Sequence, residues 1–90
     1  MKTTTFFNQL NAIVNCTIKS IFEYSINPNN YFYEIILHEE PTKEVEDMCE
    51  KNGFSIKKNT IHLNEGGNMV SKTIWEVRPA DANDIEYVEA

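Results

Sequence analysis

The stretch YFYEIILHEEPTKEVEDMCEKNGF, residues 31–54, contains the clearest strand signal and the clearest helix signal of the chain. Its opening residues, 31–38, are mostly aromatic or β-branched, and such side chains favour the pleated backbone of a strand. A turn signal precedes them, because residues 27–30, NPNN, combine a proline that presets φ with asparagines that tolerate left-handed geometry. The sequence therefore predicts a strand over residues 31–38 that follows a turn.

The second half of the stretch predicts a helix over residues 41–52. Pro41 suits the first helical position, and the acidic residues around it favour the positive end of the helix dipole. Apolar residues then recur at helical spacing between Val45 and Cys49. Gly53 follows at the position where a left-handed C-terminal cap is favoured, so a helix with a defined end is expected.

The chain before this stretch predicts a helix and then a strand. Apolar residues at steps of three and four make one helical face, which places a first helix at about residues 4–16. The residues of this face are Phe7, Leu10, Ile13 and Val14. Residues 18–26 then alternate with the two-residue rhythm of a strand, which predicts a β-hairpin with residues 31–38. A second interpretation stays open for residues 17–26, because their apolar positions also fit a continuation of the first helix.

Two more strands follow the second helix. Residues 54–63 and 70–77 have the patterns of strands, and residues 64–68, NEGGN, have the composition of a hairpin loop. The adjacent lysines Lys57 and Lys58 shift the alternation of the first of these strands, which predicts a β-bulge there. These strands complete the order α-β-β-α-β-β.

We expect this order to give an α+β fold with a four-stranded, mostly antiparallel sheet and both helices on one face. Residues 1–79 are predicted to make one domain, because 90 residues leave no room for a second core. Residues 80–90 are predicted to be an acidic C-terminal tail, or a last short helix capped by Asp81.

The charge balance narrows the classes of partner. The chain has 14 acidic and 8 basic residues, a net charge of −6, and its basic residues are scattered apart from Lys57 and Lys58. A duplex repels such a chain unless its cations are gathered on one face, so no direct binding of nucleic acid is expected. The polar N-terminus is a poor signal peptide, and no apolar run reaches the roughly 18 residues of a membrane span. We therefore expect a cytoplasmic protein with no membrane partner.

The sequence contains no recognisable pattern of catalytic or metal-binding residues. Cys16, Cys49, His38 and His62 do not fall at the short spacings of structural zinc sites, so no metal and no cofactor are expected. The two cysteines are interpreted as reduced, small apolar residues. A nucleophile motif and a phosphate-binding loop are also missing from the sequence. The protein is therefore expected not to be an enzyme.

The acidic residues of the second helix and the tail form the candidate partner-binding site. Residues 34–50 contain seven acids against Lys43 alone, and the tail adds four more. Carboxylates held on a rigid helix match a basic groove that normally holds phosphates, which is the physical logic of DNA mimicry. The alternative is that these acids only keep a small domain soluble. The predicted site comprises Glu39, Glu40, Glu44, Glu46, Asp47, Glu50, Asp81, Asp84 and Glu86.

Aromatic residues and free strand edges indicate a second kind of contact. The strands carry too many aromatic residues for one face of a sheet, so some of these residues are expected on the face away from the helices. Tyr31, Tyr33 and Trp75 are predicted to form an aromatic interface on this open face. A sheet of four strands also has two edges, through which a second copy can add. A homodimer is therefore one expected form of the protein.

Together these features predict a non-enzymatic module that binds a protein partner with a basic surface. More specifically, we expect an inhibitor or regulator that blocks the functional or nucleic-acid-binding groove of its partner. Short acidic chains rich in Asn, Ile and Lys are frequent among phage and mobile-element proteins, so an anti-defence or host-takeover factor in the host cytoplasm fits this pattern. The alternative is a structural or assembly protein that self-associates through its sheet.

Overall fold

Two helices and five strands lie in residues 2–22 and 31–88, which are the residues that the computed structural model describes. The helices are α1 (Thr3–Leu10) and α2 (Lys43–Lys51). The strands are β1 (Cys16–Phe22), β2 (Tyr31–Leu37), β3 (Phe54–Glu65), β4 (Asn68–Pro79) and β5 (Tyr87–Val88). The predicted α+β class and the order α-β-β-α-β-β are confirmed, and the structure adds β5 to the four predicted strands.

All strand pairs of the sheet are antiparallel, and the strand order is β1-β2-β4-β3. β2 and β3 therefore run in the same direction with β4 between them, and α2 lies in the crossover that joins them. β5 pairs with Tyr31 and Phe32 at the start of β2. Because β1 pairs with the other edge of β2, β5 lies on the edge that β4 occupies further along.

β1 and β2 form the predicted hairpin. They pair from Cys16 opposite Leu37 to Phe22 opposite Tyr31. The residues of β1 are therefore strand, and the interpretation as a continued first helix is wrong for them. Residues 23–30, which include the predicted turn, lie outside the described residues.

α1 is shorter than predicted and ends at Leu10 instead of residue 16. The backbone N–H groups of Ile13 and Val14 both donate to the carbonyl of Leu10, which turns the chain toward β1. The residues after Leu10 include asparagines and β-branched side chains, which favour a helix poorly. Val14 therefore reaches the core from a turn rather than from a longer helix, whereas Ile13, which was expected on the same apolar face, is 47% exposed.

β3 and β4 form a long hairpin without the predicted bulge. Their register is uninterrupted along all 12 residues of each strand, so the expected bulge at Lys57 and Lys58 is wrong. The apolar residues instead change face in the distal half, which costs little because most side chains there are exposed on both faces. At the tip, Gly66 and Gly67 have φ of +57° and +87°, the left-handed values that a two-residue type I′ turn requires.

The core lies between the two helices and one face of the sheet. The rings of Phe6 in α1 and Phe54 in β3 stack with a centroid distance of 4.3 Å. Both helices contribute to one continuous cluster, so both pack on the same face, as predicted. The buried residues of this cluster are Phe6, Leu10, Val14, Cys16, Ile35, Leu37, Val45, Cys49, Phe54 and Val77.

The tail folds back onto the domain. Ala82–Asp84 forms a short 3₁₀ turn, in which the Asp81 carboxylate accepts a hydrogen bond from a backbone N–H at 2.9 Å. The Glu86 carboxylate accepts hydrogen bonds from the backbone N–H and the hydroxyl of Thr4 at 3.1 and 2.8 Å. The side chain of Lys2, at the N-cap of α1, makes no capping hydrogen bond, so Glu86 supplies an acceptor that the start of the helix needs.

Replacing Glu86 by alanine is expected to lower the free energy of unfolding by about 1 kcal/mol, because the first turn of α1 loses this acceptor. Urea unfolding followed by circular dichroism measures the change. The matched control is Asp84→Ala, which removes an exposed carboxylate from the same segment and is expected to change stability by less than about 0.5 kcal/mol. Equal losses in the two variants would contradict a capping role for Glu86.

Candidate functional site

α2 is held over β3 by its two ends and its buried face. The hydroxyl of Thr42 accepts a hydrogen bond from the N–H of Val45 at 3.3 Å, and this cap starts the helix at Lys43, two residues later than predicted. Gly53 follows the helix with φ of +78°, which is the predicted left-handed geometry. Val45 and Cys49 anchor α2 in the core, so the exposed side chains of the helix have fixed directions relative to the sheet.

An open groove of about 370 Å³ lies between α2, β3 and β4. Its buried and half-buried lining residues are Pro41, Cys49, Phe54, Ile56 and Trp75. Its exposed lining residues are Glu40, Glu46, Glu50 and Lys58. We call it the acidic groove, because three carboxylates and one ammonium group surround a floor that is apolar and aromatic.

The three carboxylates of the acidic groove are not neutralised by ion pairs within the described chain. In residues 2–22 and 31–88, the ion pairs shorter than 4 Å are those of Arg78 with Glu34 and Glu76. Lys58, the cation of the groove, stands opposite Trp75 in the β3–β4 register. The groove therefore presents negative charge beside an indole ring, an arrangement suited to a cationic side chain.

The other predicted acids lie outside this groove. Exposed elsewhere are Glu44, Asp47 and Asp84. The Glu39 carboxylate accepts a hydrogen bond from the backbone N–H of Asn15 at 3.2 Å. Asp81 and Glu86 use their carboxylates in the tail turn and at the start of α1. The structure thus brings together Glu40, Glu46 and Glu50 and distributes the remaining six over other parts of the surface.

The three predicted interface aromatics occupy two separate places. Trp75 lines the acidic groove, whereas Tyr31 and Tyr33 are half-buried at the other end of β2. The rings of Tyr31 and Phe22 have a centroid distance of 5.4 Å. By strand alternation, all three predicted aromatics lie on the side of the sheet that carries the helices, and not on the open face where the interface was expected. Trp75 is the one that the structure combines with acidic residues.

A second charged cluster lies on the opposite face of the sheet. Glu34 is 1% exposed, and its Oε1 accepts a hydrogen bond from Nε of Arg78 at 2.5 Å. The guanidinium group of Arg78 also lies 3.5 Å from the Glu76 carboxylate and 5.1 Å from the centroid of the Phe32 ring. Burial raises the pKa of Glu34, the charge of Arg78 opposes this rise, and Glu76 adds to it.

Sequence reasoning missed this cluster. Its one local signal is Glu34, a charged residue inside an apolar strand, because such a residue is rarely buried without a partner. The partner is 44 residues away, and the antiparallel register of β2 with β4 brings the two together. That register is not visible in either strand taken alone.

The other reactive side chains do not assemble into a site. Within the described ranges, no group of three His, Cys, Asp or Glu residues is placed to hold a metal ion, and no helix is long and apolar enough to cross a membrane. Cys16 and Cys49 are buried and not bonded to each other. Burial, with a further contribution from Glu46, raises the pKa of Cys49 to about 11, so its thiol stays protonated at neutral pH.

Glu34→Gln is expected to make the protein more stable relative to wild type as the pH rises. The raised pKa means that the folded state holds the carboxyl proton more tightly than the unfolded chain does. This contribution to stability is complete below the ordinary pKa of 4.5 and is lost as the pH rises through the raised pKa of the folded state. The amide variant has no such proton, and its Oε1 still accepts from Arg78.

Urea unfolding of both proteins at several pH values between acid and neutral solution measures this difference. Asp84→Asn is the control, because it removes one exposed carboxylate and so reports the effect of net charge alone. A difference between Glu34→Gln and wild type that does not change with pH would contradict the proposed cost of burying the ionised group.

Comparison of the chain with models of protein families, with curated protein sequences and with solved structures found no match. No family is therefore assigned, and no activity is carried over from a relative. The geometry of the acidic groove supplies the grounds for a functional proposal.

Proposed function

We propose that the protein is a non-enzymatic binding module that inhibits or regulates a partner protein by occupying a basic surface of that partner. The observation that carries the proposal is the acidic groove, in which Glu40, Glu46 and Glu50 surround the half-buried Trp75. Carboxylates that serve solubility alone need no aromatic floor between them. The groove combines both features, so it is suited to a particular kind of side chain.

An arginine side chain of the partner fits the chemistry of this groove best. Its aliphatic stem gains apolar contact with Ile56, and its planar head can stack on the indole of Trp75 while donating to Glu46 or Glu50. A cation over an aromatic ring contributes about 0.5–1 kcal/mol at exposed sites, and hydrogen bonds to charged groups contribute about 1.5–3 kcal/mol each. A few such contacts suffice to select an arginine-bearing segment.

A basic groove that ordinarily binds phosphates is the expected target surface. The net charge of −6 attracts such a partner over a distance, and the fixed carboxylates then replace the phosphates without any chemical step. This is the DNA-mimic form of the proposal, and an anti-defence or host-takeover factor acting in the host cytoplasm is the biological setting that we propose for it.

The double variant Glu46→Gln/Glu50→Gln is expected to bind an oligo-arginine peptide about tenfold more weakly than wild type, because two groove charges contribute roughly 0.7 kcal/mol each. Trp75, the single tryptophan of the chain, reports the binding through its fluorescence. The matched control is Glu44→Gln/Asp47→Asn, which removes two charges from the same helix outside the groove. Each pair includes one acid of the first helical turn, so the effect on helix stability is similar.

Equal losses of affinity in these two variants would contradict binding in the acidic groove. They would indicate a general electrostatic attraction between the peptide and the acidic helix. No binding of the peptide by the wild-type protein at low salt would contradict the proposed preference for arginine-bearing partners.

Lys58→Ala is expected to tighten binding of the same peptide about threefold, because it removes the cation that competes for the groove carboxylates. Lys51→Ala is a suitable control, since Lys51 is exposed on α2 and does not line the groove. The same fluorescence titration compares the two variants. If Lys58→Ala binds the peptide no more tightly than wild type does, binding of the peptide in the acidic groove is contradicted.

A further inference from the structure

β3 is an outer strand of the described sheet, and its second half extends beyond the part of the sheet that β1 and β2 form. β2 pairs with β4 at residues 75–77, so the distal parts of β3 and β4 project as a two-stranded arm. The arm exposes large apolar side chains, since Leu63 is 37%, Val70 40% and Met69 68% exposed. A two-stranded ribbon is marginally stable by itself, and its free edge is a template for another strand.

The turn at the tip determines which backbone groups of β3 point outward. A two-residue type I′ turn makes its flanking residues, Glu65 and Asn68, a hydrogen-bonded pair. Hydrogen bonding in an antiparallel ladder alternates, so the odd-numbered residues of β3 bond to β4. The N–H and C=O groups of residues 58, 60, 62 and 64 therefore point to the free edge.

We propose that this edge pairs with the same edge of a second copy, antiparallel, about a two-fold axis at Ile61. A two-fold axis perpendicular to the sheet pairs residues of the same alternation, so each face continues into the same face of the other copy. Ile61 then faces the partner's Ile61, and Lys57 stands opposite the partner's Glu65. Residues 60 and 62 supply the hydrogen-bonded pairs on either side of the axis.

The charged residues of β3 favour an axis at Ile61 over an axis at the neighbouring residues. An axis at Lys57 or Lys58 sets two lysines opposite each other, which is unfavourable. An axis at Asn59, Thr60 or His62 places no opposite charges in register. With the axis at Ile61, Lys57 lies between its own cross-strand neighbour Glu76 and the partner's Glu65.

The same register also brings apolar side chains of the two arms together at the seam. Ile61 and Leu63 lie on the face opposite the helices, and Val70 is the cross-strand neighbour of Leu63. Pairing about Ile61 sets Ile61 beside the partner's Ile61, and Leu63 lies diagonally across the seam from the partner's Ile61. Self-association thus adds apolar neighbours to Ile61 and Leu63 across the seam, and the lysine that ordinarily protects a free edge gains a partner.

A cysteine at the axis tests the register directly. Residues opposite each other in a non-hydrogen-bonded pair have Cα atoms about 4.5 Å apart, which is within disulfide range. Ile61→Cys is therefore expected to form a disulfide-linked dimer on mild oxidation, measured by non-reducing electrophoresis. The native Cys16 and Cys49 are buried, so they do not compete.

Asn59→Cys is the control for chance collision. Asn59 is exposed on the same face, but the two copies of residue 59 lie four residues apart along the paired strands, about 13 Å, which is too far to bridge. Cross-linking of both variants, or of neither, would overturn the proposed register.

Charge reversal tests the same register without a covalent bond. Glu65→Lys is expected to raise the dimer dissociation constant about tenfold in sedimentation equilibrium, because two unlike pairs become like pairs. Adding Lys57→Glu to that variant is expected to recover at least about threefold of the affinity. A wild-type chain that is monomeric at millimolar concentration, or a dimer insensitive to both changes, would overturn the proposal.

Discussion

The architecture depends on the crossover that carries the chain from β2 over β4 to β3. β4 occupies the position between these strands, so α2 has to lie across the face that all three present to the core. α2 has nine residues, about 14 Å at 1.5 Å per residue, whereas the β3–β4 hairpin has 12 residues per strand, about 40 Å at 3.3 Å per residue. The helix can therefore cover at most about a third of the length of the hairpin. The acidic groove lies at its margin, and the exposed arm lies beyond.

This arrangement also accounts for the distribution of charge. Arg78 pairs with Glu34, where an uncompensated carboxylate would be most costly because the site is buried. With 14 acids and 8 basic residues, some carboxylates must be left unpaired, and the solvated side of α2 is where they cost least. Solubility alone accounts for that exposure. It does not account for Trp75, whose half-buried ring lies beside three of these carboxylates instead of being covered by apolar side chains.

The features that could be predicted from the sequence are local, and those that could not are long-range. The β2 strand, the Gly53 helix end and the Gly66-Gly67 turn depend on a few neighbouring residues, whose propensities agree with the structure. The cap of α1 joins residues 82 positions apart, and the pair of Glu34 with Arg78 joins residues 44 positions apart. The acidic groove likewise needs the relation of α2 to the sheet. The shift of the apolar alternation at Lys57 and Lys58 led to the wrong prediction of a β-bulge. No bulge is needed, because neither face of the distal half of β3 is covered and apolar residues can lie on either face.

The two proposals together determine how the acidic grooves of a dimer would be arranged. A two-fold axis perpendicular to the sheet leaves the helices of both copies on the same side, so both grooves open in one direction. A partner with one basic segment gains nothing from this, because each groove binds it independently. A partner with two basic segments, or one that is itself two-fold symmetric, binds the second groove as an intramolecular step and gains avidity if the spacing matches. Pairing of the β3 edges would then favour partners with two basic segments, although the edge itself makes no contact with the partner.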